Sequence, residues 1–239
     1  MNDTGTAHAK EGDMVILVQG PNTVLCVLKP GGTISNKAGT FRHSDIIGRA
    51  WGSLVSPYQS NRAREKQRER PAYTIRLLQC SPELVPGCVS RRTQVIYQPD
   101  ASQILFNLDI RSGSVVVESG TGSACLTCAF GRAVAPTGHV HSFEYNLPRV
   151  DAARKELEAY RMGDVVTVAH CNAYKDGFGD ALVDKADAVF LDLPMPWLAL
   201  PHAHRVLKPT GRIATFSPCI EQVEKTLVGL TQLGFQGTL

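Results

Sequence analysis

The chain runs to 239 residues, 43% hydrophobic and 20% charged, with a formal net charge of +3. That length allows one large α/β domain, or a small domain beside a medium one, with a buried core, and that charge is compatible with a polyanionic partner without requiring one. Seven scattered cysteines, an odd number, exclude a disulfide framework; no stretch reaches the roughly 18 apolar residues of a membrane span, and the first residues lack a signal peptide's basic and apolar regions, so a reducing intracellular compartment is expected.

From Asp13 to about Leu78, short β-rich pieces such as Met14-Val-Ile-Leu-Val18 and Thr23-Val-Leu-Cys-Val-Leu28 are separated by Gly and Pro, which predicts a small β domain over 1–80. Within it, an insertion near 57–72 carries Arg62-Ala-Arg-Glu-Lys-Gln-Arg-Glu-Arg70. Its mixed signs read first as a solvated loop, with an RNA-touching or nuclear-import patch as the alternative. After Pro99 the rhythm changes, and 81–239 reads as a second domain. Asp100 is placed to cap a helix through Ile104, Leu105 and Leu108 that Ser112-Gly113 ends. Strands are predicted at 114–118, 138–144, 165–170, 186–192 and 212–217. Between them, Val150, Arg154 (through its stem), Leu157 and Tyr160, and later Ile220, Val223, Leu227 and Leu230, fall at helical spacing. Serial strand-helix-strand units imply a doubly wound, mostly parallel, Rossmann-like sheet with ligands at the carboxyl ends of its strands.

The first strand of that sheet runs into Glu118-Ser-Gly-Thr-Gly-Ser-Ala124. Gly120 and Gly122 permit a tight turn and a close ligand, and Ala124 stands where a packing glycine often stands. A nucleotide site would hold pyrophosphate at the helix start. An acidic residue two before the first glycine instead suits a phosphate-free cofactor with a cationic methionine moiety, S-adenosylmethionine. Glu144 closes the second strand 24 residues after Gly120, where a carboxylate can accept both ribose hydroxyls; alone it is equally a surface strand end.

Five stretches occur in order: Arg92-Thr-Gln-Val-Ile-Tyr97, the glycine turn, Pro136-Thr-Gly-His-Val-His141, Phe190-Leu-Asp-Leu-Pro194 and Phe216-Ser-Pro-Cys-Ile-Glu-Gln-Val223. With Arg42-His-Ser-Asp-Ile-Ile-Gly48 they make nearly the whole chain resemble the catalytic subunit family of eukaryotic tRNA (adenine-58-N1)-methyltransferase. The resemblance implies a cofactor site of Ile96, Glu118, Gly120, Gly122, Ser123, Ala124, Cys125, Glu144, Arg149, Asn172, Ala173 and Asp192. It implies a substrate side of Gln94, Tyr97, Pro194, Ser217 and Pro218, although Tyr97 also suits strand-edge packing. Asn172 replaces an expected aspartate, and an amide there pairs with adenine without charge assistance. The implied partners are tRNA and a non-catalytic homologous subunit in a heterotetramer, in the nucleus or alternatively the cytoplasm, with no membrane. Relatives add an antiparallel strand pair after the last helix, where this chain reaches Gly234-Phe-Gln-Gly-Thr-Leu239. The sheet is therefore expected to lack that pair, and Cys80 to Cys88 to be shortened.

Asp192 is the expected catalytic residue. A carboxylate at a central strand's end can accept the adenine amino hydrogen and stabilise the cation that forms as N1 is methylated. Pro194 and Pro196 stiffen the loop after it and leave carbonyls for the base. Trp197 reads as a helix anchor or as a base-stacking ring. Ser217-Pro218 reads locally as a helix N-cap and first helical position. Cys125-Leu-Thr-Cys128 lacks a second pair at zinc spacing and reads as core, His202 and His204 face different ways on a helix, and no metal is expected. Two further readings stay open: a non-catalytic RNA-binding or assembly subunit of this fold, and a methyltransferase acting on another adenine or a small molecule.

Overall fold

The computed structural model describes residues 7–20, 22–36, 39–58, 74–81, 84–88 and 93–237. Most of the 57–72 insertion, including Arg62 to Arg70, and Arg92 lie outside the described residues. The chain divides into two compact units at 89/90, where the sequence places the division at 80/81.

In the first unit β1 (Met14–Gln19) and β2 (Asn22–Val27) pair antiparallel from Met14↔Val27 to Gln19↔Asn22. A hairpin of β3 (Thr33–Asn36) and β4 (Gly39–Arg42) follows, then β5 (Leu54–Val55) and β6 (Ile75–Gln79). The four-stranded sheet has the order β2-β1-β6-β5. Val15, Leu17, Phe41, Val55, Ile75 and Leu77 form its core, while Arg76, between two of them, points out and donates to the Gly52 carbonyl. That period-two alternation is what lets a sheet bury one face. A single helical turn, Val85–Cys88, closes the unit.

The second unit is wound as the sequence predicts. In chain order it comprises α1 (Gln98–Asn107), β7 (Val115–Ser119), α2 (Cys125–Val134), β8 (His139–Glu144), α3 (Leu147–Ala159) and β9 (Val166–His170). β10 (Ala186–Leu191), α4 (Leu200–Val206), β11 (Leu207–Thr215) and α5 (Ile220–Gln232) complete it, with 3-10 turns at Asp180–Leu182 and Pro196–Leu198. The sheet has the order β11-β10-β7-β8-β9, every pairing parallel. β11 is an outer strand with no further strand beside it among the described residues. Alternate residues feed two apolar layers: Val116, Ala188 and Phe190 pack with Phe130 and Val140 on one face, and Val117, Val189 and Leu191 pack with Leu200 and Ala203 on the other. Strands buried on both faces read as continuous apolar runs. Phe130 meets Phe190 edge to face, 5.8 Å between ring centroids, fixing α2 against the sheet.

Three local expectations change. α1 starts at Gln98 and ends at Asn107, so Asp100 lies in its first turn and Ser112-Gly113 falls beyond it. Pro99, with its φ preset for a first helical turn, moves the start upstream. β11 begins five residues before Arg212, because Leu207 pairs with Ala186 before a register shift carries the strand past Pro209 and Gly211. α5 starts at Ile220 behind Cys219, whose N–H donates to Gln222 Oε1 over 3.2 Å, so Ser217-Pro218 is neither its cap nor its first position.

The consequence for function is topological. The chain enters the sheet at β7, runs outward through β8 and β9, and returns beside β7 as β10. The strand order thus reverses between β7 and β10, which opens a crevice at their carboxyl ends.

Candidate cofactor pocket and active site

Gly120 and Asp192 follow β7 and β10 directly, so the reversal brings them together. The Asp192 N–H donates to the Ser119 carbonyl over 2.9 Å. Gly120 has φ +102°, and a Cβ on it would lie 2.2 Å from the Asp192 carbonyl oxygen. Gly122 has φ +54°, and a Cβ there would lie 2.7 Å from Thr93 Oγ1. Both glycines therefore serve close approach within the protein. Gly120→Ala is expected to destabilise by about 2 kcal/mol through strain and collision and to weaken ligand binding, read as a shift in urea midpoint and by calorimetry.

The crevice is a cleft lined by Thr93 to Ile96, Glu118, Gly120 to Ser123, Cys125, Leu126, Phe190 and Asp192. It gathers Gln94, Ile96, Glu118, Gly120, Gly122, Ser123, Cys125 and Asp192 from the expected set. Ala124 lies behind the wall, fully buried at the start of α2 with φ +58°. An L side chain in the left-handed region costs roughly 1–2 kcal/mol, which is why glycine is expected there. Ala124→Gly should recover about 1 kcal/mol of stability, read in the same urea titration.

Glu118 is in register with Val116 and so points into the layer beneath α2; it is 1% exposed. Its Oε2 accepts from Thr127 Oγ1 at 2.7 Å and from Ser142 Oγ at 2.6 Å. Burial pushes its pKa up from 4.5 to about 7, against those two hydrogen bonds and with help from the charges of Asp192 and Glu144. Asp192 is pushed up too, by burial first and then by Glu144. Glu144 is 5% exposed; its Oε2 accepts from the Gly122 N–H at 3.1 Å and its Oε1 from the Asn146 N–H at 2.9 Å. Arg149 Nη1 stands 3.7 Å from Glu144 Oε1. The turn's amide is thus committed to a carboxylate, and among the described residues no lysine or arginine lines the cleft. Such a pocket disfavours pyrophosphate and suits a cation.

The other expected residues are not among those that line this cleft. The Asn172 Oδ1 accepts from the Tyr174 N–H at 3.0 Å, closing its own turn, and Ala173 is buried in the second layer. Tyr97 is exposed at the start of α1. Ser217 Oγ is buried with no partner among the described residues. The loop after Asp192 is held by two cross-links absent from the sequence reading: Gln222 Nε2 donates to the Pro194 carbonyl at 2.8 Å, and the Met195 N–H donates to Tyr174 Oη at 3.1 Å. The Pro194 carbonyl thus accepts one hydrogen bond within the protein and keeps a second lone pair. Trp197 packs against the second layer with Lys225 Nζ 5.0 Å from its ring centroid, the anchoring alternative. Cys125 and Cys128 are buried in α2, and no metal-binding group of three ligands occurs among the described residues.

Sequence reasoning missed Thr93, Thr121, Thr127 and Ser142. Ser142 stands directly opposite Glu118 in the ladder, a pairing that only the register of β7 and β8 reveals.

The sequence model of the GCD14 family, described as the GCD14 subunit of the tRNA methyltransferase complex, matches residues 73–238. The tRNA (adenine(58)-N(1))-methyltransferase catalytic subunit of Cryptococcus neoformans is 39% identical over 231 residues, 95% of this chain and 50% of that protein. The corresponding Dictyostelium discoideum subunit is 36% identical over 230 residues, 95% of this chain and 70% of that protein. The chain thus spans about half the length of the first of these relatives. Among solved structures, a SAM-dependent O-methyltransferase from Thermotoga maritima superposes with a TM-score of 0.78 at 25% identity, over 94% of this chain and 78% of that one. The tRNA (m1A58) methyltransferase TrmI of Aquifex aeolicus shares the fold, with a TM-score of 0.73 at 22% identity over 95% and 83%.

Proposed function

The chain belongs to the GCD14 family of tRNA methyltransferase complex subunits, and from that premise we propose that it transfers a methyl group from S-adenosylmethionine to N1 of adenine 58 in the T-loop of tRNA. It acts as the catalytic subunit, with a non-catalytic homologous subunit completing a heterotetramer. The observation that carries this reading is the meeting of Asp192 with the glycine turn in a cleft walled by carboxylates and free of basic side chains among the described residues.

The residues fit the cofactor. Glu118 offers negative charge to its cationic end, and Glu144 retains lone pairs for ribose hydroxyls after two backbone donors are counted. When bound, S-adenosylmethionine supplies a methyl group on a positively charged sulfur. Everything else falls to the protein. Asp192, fixed by its own backbone to β7, accepts the amino hydrogen of the incoming adenine and holds N1 in line with the methyl carbon, and such positioning is worth several kcal/mol. As N1 is alkylated, positive charge spreads into the ring and its amino group, so the Asp192 carboxylate binds the transition state more tightly than the neutral base. Gln222 and Tyr174 keep the following loop from drifting. Phe190 and Leu126 keep water from the cleft's inner wall.

Calorimetry with S-adenosylmethionine, followed by methylation of tRNA with and without the partner subunit, tests the proposal. Cofactor binding and turnover that needs the partner are expected. A chain that binds no cofactor belongs to the assembly reading instead.

A further inference from the structure

The hydroxyl system behind the glycine turn carries a role of its own. Ser142 and Thr127 are fully buried, and Thr121 is 4% exposed. With Glu118 ionised, the one hydrogen of Ser142 Oγ goes to Glu118 Oε2, and the 2.6 Å contact between Ser142 and Thr121 Oγ1 is then a donation from Thr121. While Glu118 is ionised the chain runs one way: Thr121, in the turn itself, donates to Ser142, and Ser142 and Thr127 both donate to one oxygen of Glu118. Two hydroxyl hydrogens on one carboxylate oxygen stabilise the ionised form.

Resting on the methyltransferase reading above, we propose that Ser142 and Thr127 are positioning residues for the cofactor, holding Glu118 as an anion on the cleft wall and tying it through Thr121 to the turn that grips the ligand. The other ionisable groups facing Glu118 from its neighbours are Asp192 after β10, Glu144 at the end of β8 and the Cys125 thiol at the start of α2. The two carboxylates oppose ionisation of Glu118, and no cation lines the cleft to help among the described residues. The hydroxyl donors are therefore what keeps the charge available near neutral pH. A protonated Glu118 offers the cofactor's cationic end no charge, so affinity depends on pH through these donors.

The test is calorimetric affinity for S-adenosylmethionine between pH 6 and 8.5, on wild type, Ser142→Ala, Thr127→Val and Thr127→Ser, with thermal midpoints recorded alongside. Wild-type affinity should fall as the pH drops through about 7. Losing one charge-assisted donor should move that fall to higher pH in Ser142→Ala and Thr127→Val, weakening binding about tenfold at pH 6.5 but by no more than about threefold at pH 8.5. Thr127→Ser, which keeps the hydroxyl, should follow wild type. Losses equal at every pH, tracking the thermal midpoints, would make the hydroxyls merely structural and overturn the inference. A wild-type chain that binds no cofactor at any pH overturns the methyltransferase reading, and this inference with it.

Discussion

Asp192→Ala is expected to bind S-adenosylmethionine within about threefold of wild type while methyl transfer falls by two decades or more, a loss of about 2.7 kcal/mol or greater in transition-state stabilisation. The separation follows from how the residue is held. Its backbone closes the cleft, through the N–H donated to Ser119 and the carbonyl packed against Gly120, and truncating the side chain leaves both in place. Only the carboxylate, which is half-buried and raised in pKa by burial and by Glu144, is removed. A loss confined to turnover, with affinity kept, marks an interaction made in the transition state. Asp192→Asn should recover part of the loss, since an amide oxygen still accepts the adenine amino hydrogen but carries no charge. Turnover near wild type in Asp192→Ala would remove the residue from the chemistry.

Glu118→Gln is expected to move stability and function in opposite directions. The folded pKa of Glu118, about 7, lies above its ordinary value of 4.5. The sign follows: the folded state holds the proton more tightly, so the group's favourable contribution is complete below pH 4.5 and is lost as pH rises through 7. Above pH 7 the buried ionised carboxylate destabilises the free protein by on the order of 3 kcal/mol relative to the neutral acid. A neutral amide escapes that penalty but leaves one buried N–H pair to satisfy, so the net gain at pH 8 should be about 1–2 kcal/mol, with none at pH 4. Cofactor affinity at pH 8 should meanwhile drop about a hundredfold, because the cationic end loses its buried partner. Denaturant titrations at the two pH values and calorimetry at pH 8 check both halves. A variant as unstable as wild type at pH 8, or one that binds cofactor normally, contradicts this assignment of the charge.

The parallel sheet was legible because β7 and β10 carry the apolar runs Val115-Val-Val117 and Ala188-Val-Phe-Leu191, which feed both faces. The turn was legible because Gly120 and Gly122 stand between strand and helix. Asp192 was legible from its place at a strand end. What escaped depends on partners distant in sequence. The 3.2 Å bond from the Cys219 N–H to Gln222 outweighs the local preference of Ser217-Pro218 for a helix start. Gln222 reaches back 28 residues to Pro194, so the loop's stiffness comes from a side-chain bridge as well as from its prolines. β11 passes Pro209 and Gly211 in a register shift, with pairing to β10 at Leu207 before them and from Arg212 after them. Ser142 gains its role only once the β7–β8 register sets it opposite Glu118.

The most direct measurement is nucleoside mass spectrometry of tRNA after reaction with methyl-labelled S-adenosylmethionine and this chain together with the proposed partner subunit. One new labelled nucleoside, 1-methyladenosine, is predicted from tRNA carrying adenine at position 58, and none from the same tRNA with that adenine replaced. Label on any other nucleoside, or cofactor bound tightly with no label transferred, would contradict the account.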